Sequence, residues 1–202
     1  LDPGEMPLPG VLVELLDQDG QVVAQQHTDR QGHYSFDFLA PGVYSVRETQ
    51  PENLFDGGQV IGSAGGTSGG ENLIVGITLS SGIAAEHYDF PEIPPATISG
   101  YVFQDGEALT LMEIPEPARL REYRDGLLTE DDERLSDVRL ELRGPSGQRL
   151  DSSLALPGIY QGQGIVAYTD ASGYFEFRGL RPGTYHLYQQ QPDGYQDGLD
   201  TP

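Results

Sequence analysis

The chain has 202 residues, enough for one large domain or two of about 100, either of which can bury a core without covalent help. It contains no Cys, which excludes disulfides and thiolate metal sites and leaves packing, hydrogen bonds or hard cations as the sources of stability. The formal net charge is −21 and every basic residue is Arg, so the surface repels nucleic-acid phosphates and anionic lipid heads, with no local basic patch to offset this.

In chain order, GVLVELLDQDGQVVAQQ (10–26) predicts two strands around an Asp-Gly hairpin turn. HYSFDFL (33–39) alternates apolar and polar residues and predicts a strand, as does VYSV (43–46) after the Pro41-Gly42 turn. NLIVGITL (72–79) and AAEHYDF (84–90) predict two more. The proline-rich PEIPPAT (91–97) then predicts a short, semi-rigid spacer. Beyond it come ISGYVF (98–103), a long polar stretch at about 104–135, and DVRLELRGPSGQRL (137–150), which predicts a second hairpin. GYFEFRGL and TYHL, flanking Pro182-Gly183, complete the series. Within the polar stretch, PARLREYRDG (117–126) predicts a short helix ending at Gly126. No run reaches the roughly 18 apolar residues of a membrane span, and the opening LDPGE without Met suggests a mature or excised piece.

The segment from Thr28 to Gly57 aligns without a gap on the segment from Thr169 to Gly198. The shared positions include Thr28 with Thr169, Asp29 with Asp170, Gly32 with Gly173, Phe36 with Phe177 and Tyr44 with Tyr185. Glycine, proline and aromatic punctuation conserved at one offset marks two copies of one module. The expected fold is therefore all-β, two tandem Greek-key sandwiches of short strands. Residues 1–93 form the first, lacking its opening strand, and 94–97 link it to the second. The second spans 98–202, carries the insertion, and lacks the closing strands that the first has. Unpaired sheet edges invite pairing, so either the chain is a window of a longer repeat protein or neighbouring chains complete one another in a fibre.

The combined pattern resembles the SdrD B-like domain, the B-type repeat of serine-aspartate repeat proteins, related to collagen-adhesin B-type domains of the transthyretin-like superfamily. The resemblance rests on ISGYVFQDG, on the T-D-x-x-G-x-[YF]-x-F-x-x-L-x-P-G-x-Y run, and on Q-P-x-x-x-x-D-G. It implies extracellular, secreted or surface-attached stalk modules that bind calcium through an EF-hand-like loop. On that loop Asp2 and Glu5 match the last two acids in copy one. In copy two Asp125 matches the D-G position, Thr129 the next ligand and Asp132 the bidentate Glu, while Arg121 and Tyr123 stand at the two earlier ligand places. Asp105, Asp131 or Glu133 are candidate replacements, since calcium takes six to eight oxygens. The covalent lock of related adhesin modules, a Lys to Asn isopeptide bond beside an acid, is excluded here by the absence of Lys. Asp29 and Asp170 read as turn residues and not as metal ligands.

Enzymatic chemistry finds no support in the sequence. Gly66-Thr67-Ser68-Gly69-Gly70 fits G-x-S-x-G but lacks the strand before and helix after that a nucleophile elbow needs. His27, His33, His87 and His186 show no paired ligand spacing. The expected role is structural, a stalk or fibre module stiffened by calcium and partnered by neighbouring modules. The alternative is a calcium-dependent adhesin module whose loops and insertion bind an extracellular ligand.

Overall fold

The computed structural model describes residues 5–106, 126–130, 132–162 and 164–195. The chain divides into two compact units, Leu1–Pro94 and Pro95–Pro202. Both are built of antiparallel strands, and the one helical turn among the described residues is the 3-10 turn Ser152–Leu154. The expected helix at 117–126 lies outside the described residues, apart from Gly126.

Unit one contains β1 (Leu12–Leu16), β2 (Val22–His27), β3 (Gly42–Glu48), β4 (Phe55–Asp56), β5 (Thr67–Ser68), β6 (Leu73–Leu79) and β7 (Glu92–Ile93). Its main sheet runs β2-β1-β3-β6-β5, with β4 and β7 paired separately. Inward residues Val13, Leu15, Val46, Ile74, Ile77 and Tyr88 form the core. The β1–β2 turn is the expected Asp-Gly device: Asp17 Oδ1 accepts from the amides of Asp19 and Gln21, and Gly20 takes φ +76°.

Unit two contains β8 (Ala96–Tyr101), β9 (Phe103–Gln104), β10 (Glu133–Arg134), β11 (Arg139–Arg143), β12 (Ile165–Tyr168), β13 (Tyr174–Leu180) and β14 (His186–Gln189). Its sheets run β12-β11-β14, β13-β8 and β10-β9, around a core that includes Leu140, Leu142, Ile165, Phe177 and Leu180. Only Pro94 and Pro95 separate β7 from β8.

The repeat extends to register. Val13 faces Gln26 and Glu48 as Leu140 faces Ala167 and Gln189, and Leu15 faces Ala24 and Val46 as Leu142 faces Ile165 and Leu187. Side-chain hydrogen bonds repeat as well. Thr28 Oγ1 accepts from the Val11 amide at 2.9 Å and donates to the Leu8 carbonyl at 2.6 Å. Thr169 does the same with Val138 at 2.9 Å and Leu135 at 2.7 Å. Tyr44 donates to the Ala40 carbonyl, and Tyr185 to that of Arg181, so each tyrosine spans its own Pro-Gly turn.

Three expected strands differ in the structure. The second arm of the hairpin at 137–150 is reduced to an isolated bridge, Arg143 with Arg149. Asp151 caps the 3-10 turn by accepting from the Ser153 amide, which carries the chain away, and β12 takes the place beside β11. The segment 84–90 makes only an isolated bridge, Asp89 with Val60, while Tyr88 is buried in the core. The segment 33–39 forms no ladder among the described residues, although its counterpart β13 pairs with β8. The difference is the partner: a strand is a paired object, and its alternation alone does not supply the neighbour that closes its hydrogen bonds.

Candidate functional site

The insertion loop is tied at its base by carboxylates. Asp132 is buried, and its Oδ1 accepts from the Gly106 amide at 2.7 Å. Its Oδ2 accepts from the Thr129 amide at 2.6 Å and from the Thr129 hydroxyl at 3.1 Å. Burial pushes this carboxyl up, but the Gly106 and Thr129 hydrogen bonds, helped by the charge of Arg134, outweigh it and hold the group below its usual value. Asp105 Oδ2 accepts from the Gly126 amide at 2.9 Å, fastening the far end of the loop to β9. Thr129 and Asp132 are thus joined directly, and Asp105 meets the same loop separately, through Gly126. Glu133 lies on β10, exposed, and Glu5 is also exposed. Asp2, Asp125 and Asp131 lie outside the described residues.

Carboxylates and a hydroxyl are donors of the hard type that calcium takes, and both oxygens of Asp132 already accept hydrogen bonds from the protein. Among the described residues no group of three or more His, Asp or Glu side chains is arranged to hold a metal. Asp29 and Asp170 are turn residues: Asp29 Oδ1 accepts from Gln31 and His33 amides, and Asp170 Oδ1 from Ser172 and Tyr174 amides. Ser68 lies on β5, donates to Gln59 Oε1 at 2.9 Å, and is followed by β6 and not by a helix.

The second candidate is a set of sheet edges. In unit two, β8 covers β13, with Tyr174, Phe175, Glu176 and Phe177 facing Tyr101, Gly100, Ser99 and Ile98. In unit one the corresponding residues His33, Tyr34, Ser35 and Phe36 have no strand beside them among the described residues, and the Ser35 amide donates to the Gln26 side chain. Ala167 stands at the position of Gln26 in copy two. The converse holds at the other edge. In unit one β3 is flanked by β1 and β6, whereas among the described residues its counterpart β14 is flanked by β11 alone, with Leu187 and Tyr188 exposed.

A cavity of about 430 Å³ opens beside β14, lined by Val102, Leu140, Phe175, Leu187 and Gln189 among others. Three of those residues correspond to Val13, Tyr34 and Val46 of unit one, and there Tyr88 fills the core among them. The Tyr34 hydroxyl donates to the Tyr88 carbonyl at 2.6 Å, and the Tyr88 hydroxyl donates to the Gly65 carbonyl at 2.8 Å. The closing segment of the module is thus a plug, a role its sequence does not announce.

The family model of the SdrD B-like domain matches residues 1–89. Serine-aspartate repeat-containing protein F of Staphylococcus epidermidis is 25% identical over 202 residues, covering 96% of this chain and 10% of that protein. Serine-aspartate repeat-containing protein D of Staphylococcus aureus (strain Newman) is 27% identical over 201 residues, covering 96% of this chain and 12% of that protein. The chain therefore spans about a tenth of the length of these relatives. Among solved structures, the Bacillus anthracis TIE protein aligns with 98% of this chain and 28% of its own, at 16% identity and a TM-score of 0.37. Unit one matches the model of the SdrD B-like domain over nearly all its length, and unit two repeats its register, its threonine bridges and its turn-spanning tyrosine.

Proposed function

We propose that the chain is a stalk segment of a bacterial surface protein, working outside the cell and without catalysis, in which each module is completed by strands of the next. The observation that carries this reading is reciprocal: among the described residues, the edge covered in one unit is open in the other, at 33–39 in unit one and at β14 in unit two. Main-chain hydrogen bonds along such an edge give affinity, and alternate side chains give register. The occupant is a strand of the module's own pattern. At 33–39 it is one like β8, and at β14 one like β6 followed by a plug like Tyr88.

Calcium stiffens the second module in this reading. Asp105, Thr129 and Asp132 are its ligands at the neck of the insertion, and extracellular calcium at about millimolar levels suits a weak site of this kind. The ion would tie the two ends of the insertion to each other without relying on a large core beneath it.

A synthetic peptide of residues 96–104 added to the whole chain tests the edge. Amide exchange at 33–38 should slow in its presence, and a peptide with the same composition in scrambled order should leave it unchanged. Equal exchange with both peptides would overturn the proposal. Calcium is tested separately: Asp132→Asn should lose a calcium-dependent rise in the unfolding temperature of unit two, and the absence of any such rise in the parent chain would remove calcium from the account.

A further inference from the structure

Unit two carries a cluster of arginines that neither its edges nor the neck of the insertion use. Arg139, Glu141 and Arg143 alternate along β11 and share its outer face, while Leu140 and Leu142 between them point into the core. Register brings Tyr168 of β12 beside Arg139, and Tyr188 and His186 of β14 beside Glu141 and Arg143. Glu141 is the one acid on these three strands, in a chain that has 32 Asp and Glu residues. Three guanidinium groups meet its buried carboxylate: Arg139 Nη1 and Arg143 Nη2 at 3.2 Å from Oε2, and Arg149 Nε at 3.3 Å from Oε1. Arg143 also lies over the Tyr188 ring, 4.3 Å from its centre.

In unit one a single arginine serves the equivalent glutamate. Glu14 pairs with Arg47, which donates from both Nε and Nη2. Unit two places three arginines around one carboxylate, and the ion pairs among the described residues give them no acid besides Glu141. Two positive charges are therefore in excess at one spot. Nor does the cluster close on itself: Glu141 Oε1 and Arg143 Nε are buried without a hydrogen-bond partner, and the Arg149 side chain is 66% exposed. Exposed Tyr168 and Tyr188 flank the arginines, and tyrosine and arginine are the residue types that dominate binding hot spots. The sequence hides this patch, since its arginines form no basic run and meet only through β11 and the turn that bridges Arg143 to Arg149.

We propose that this outer face of unit two is a docking surface for an acidic protein segment in extended conformation. The partner's chemistry follows from charge. A nucleic acid or a sulfated polysaccharide meets the long-range field of a chain with net charge −21, which two local charges do not reverse. A short segment bearing carboxylates feels the arginines from within a Debye length, about 8–10 Å, where their charge dominates. Guanidinium groups grip carboxylates through paired N–H donors. Arg139 and Arg143 stand four residues apart on β11, roughly 13 Å, which is the separation of carboxylates four residues apart on an extended chain. The surface is the face of the sheet and not its rim, so docking there is independent of module completion at β14.

NMR titration of the whole chain with an acetylated nonapeptide of serine and threonine, carrying glutamates at its third and seventh positions, tests the surface. At about 50 mM salt the peptide should shift the Nε–Hε signals of Arg143 and Arg149, and its affinity should fall several-fold at about 500 mM. The same peptide with glutamines in place of glutamates should leave those signals unmoved. Arg149→Gln keeps both hydrogen bonds of Glu141, so unit two stays folded, and it should weaken the acidic peptide about three- to fivefold. Arg30→Gln removes an equal charge from an exposed turn of unit one and should leave the affinity unchanged. Equal binding of the two peptides, equal weakening by Arg149→Gln and Arg30→Gln, or no shift with the acidic peptide at low salt would overturn the proposal. So would preferential binding of a sulfated oligosaccharide at the same arginines.

Discussion

Replacing Thr169 by Val keeps the shape of the side chain and deletes its hydroxyl. Thr169 is 5% exposed, and its Oγ1 joins the Val138 amide at 2.9 Å to the Leu135 carbonyl at 2.7 Å, at the entry to β11. The substitution strands a donor and an acceptor at once. Val138 is itself 5% exposed, so water does not readily replace the lost partner. A buried unsatisfied group costs about 1–3 kcal/mol, and two in a partly solvated junction sum to about 2–4 kcal/mol. Thr28→Val removes the same pair of bonds in unit one, where Val11 is buried but Thr28 and Leu8 are only half-buried, so water reaches the freed carbonyl more readily and a smaller cost of about 1 kcal/mol is expected. Urea unfolding of the whole chain, followed by a probe in each unit, should show Thr169→Val shifting only the transition of unit two, and by more than Thr28→Val shifts that of unit one. Equal shifts, or less than about 0.5 kcal/mol for Thr169→Val, would refute the claim that burial of this bridge sets its worth.

Phe38 and Gly179 occupy the same repeat position and share a left-handed backbone, φ +58° and +65°. Phe38 is fully exposed, so Phe38→Gly should stabilise unit one by about 1 kcal/mol in thermal unfolding. Gly179→Ala should do the reverse in unit two, because a Cβ there meets Ile159 Cδ1 at 2.2 Å in addition to the backbone strain. Glu141, 1% exposed, pairs with Arg139 and Arg143 at 3.2 Å, while Arg149 approaches its other oxygen at 3.3 Å without hydrogen-bond alignment. Glu141→Ala should cost unit two about 1–3 kcal/mol, the lower end reflecting the part-exposed arginines, and added salt should shrink the difference. For Glu48 and Glu92 the folded values lie above the unfolded value near 4.3, so the folded state holds more protons. Their contribution is complete below that unfolded value and is lost as pH rises through about 7 and 8, by at most about 1.4 kcal/mol per pH unit for each carboxyl. Unfolding of unit one measured across that window should show the decline in chelator, and Glu48→Gln should flatten it.

The repeat was legible because its marks are local. Asp-Gly and Pro-Gly turns, Thr28 with Thr169 and Tyr44 with Tyr185 sit at fixed offsets, and the structure places them in matching register. Their jobs were less legible. Nothing within a few residues of Thr169 says that its hydroxyl will meet Leu135 and Val138, which lie more than thirty residues earlier. The salt bridge of the repeated glutamate is a sharper case. Glu14 pairs with Arg47 across β1 and β3, but copy two has Tyr188 at the place of Arg47 and supplies Arg139, Arg143 and Arg149 around Glu141 instead. Aligning the copies finds the glutamate and misses its partners.

Pairing was the other blind spot. The alternation of HYSFDFL equals that of GYFEFRGL, yet only the latter forms a ladder, because a strand's state depends on whether a neighbour is there. The burial of Glu48 was hidden for a related reason, since the carboxylates that act on it, Asp56 and Glu92, come from β4 and β7. No motif spans that distance. At the insertion, Asp132 was legible as a loop acid, while its three hydrogen bonds to Gly106 and Thr129 emerge only when both ends of the loop are brought together.

Amide hydrogen exchange, read on this chain alone and on a longer polypeptide carrying one more module at each end, tests the completion of modules by their neighbours most directly. The account predicts that amides in 33–39 and along β14 exchange readily in the chain alone and are strongly protected in the longer polypeptide, while those of β1 and β11 are protected in both. Unchanged exchange at 33–39 and β14 in the longer polypeptide would contradict it.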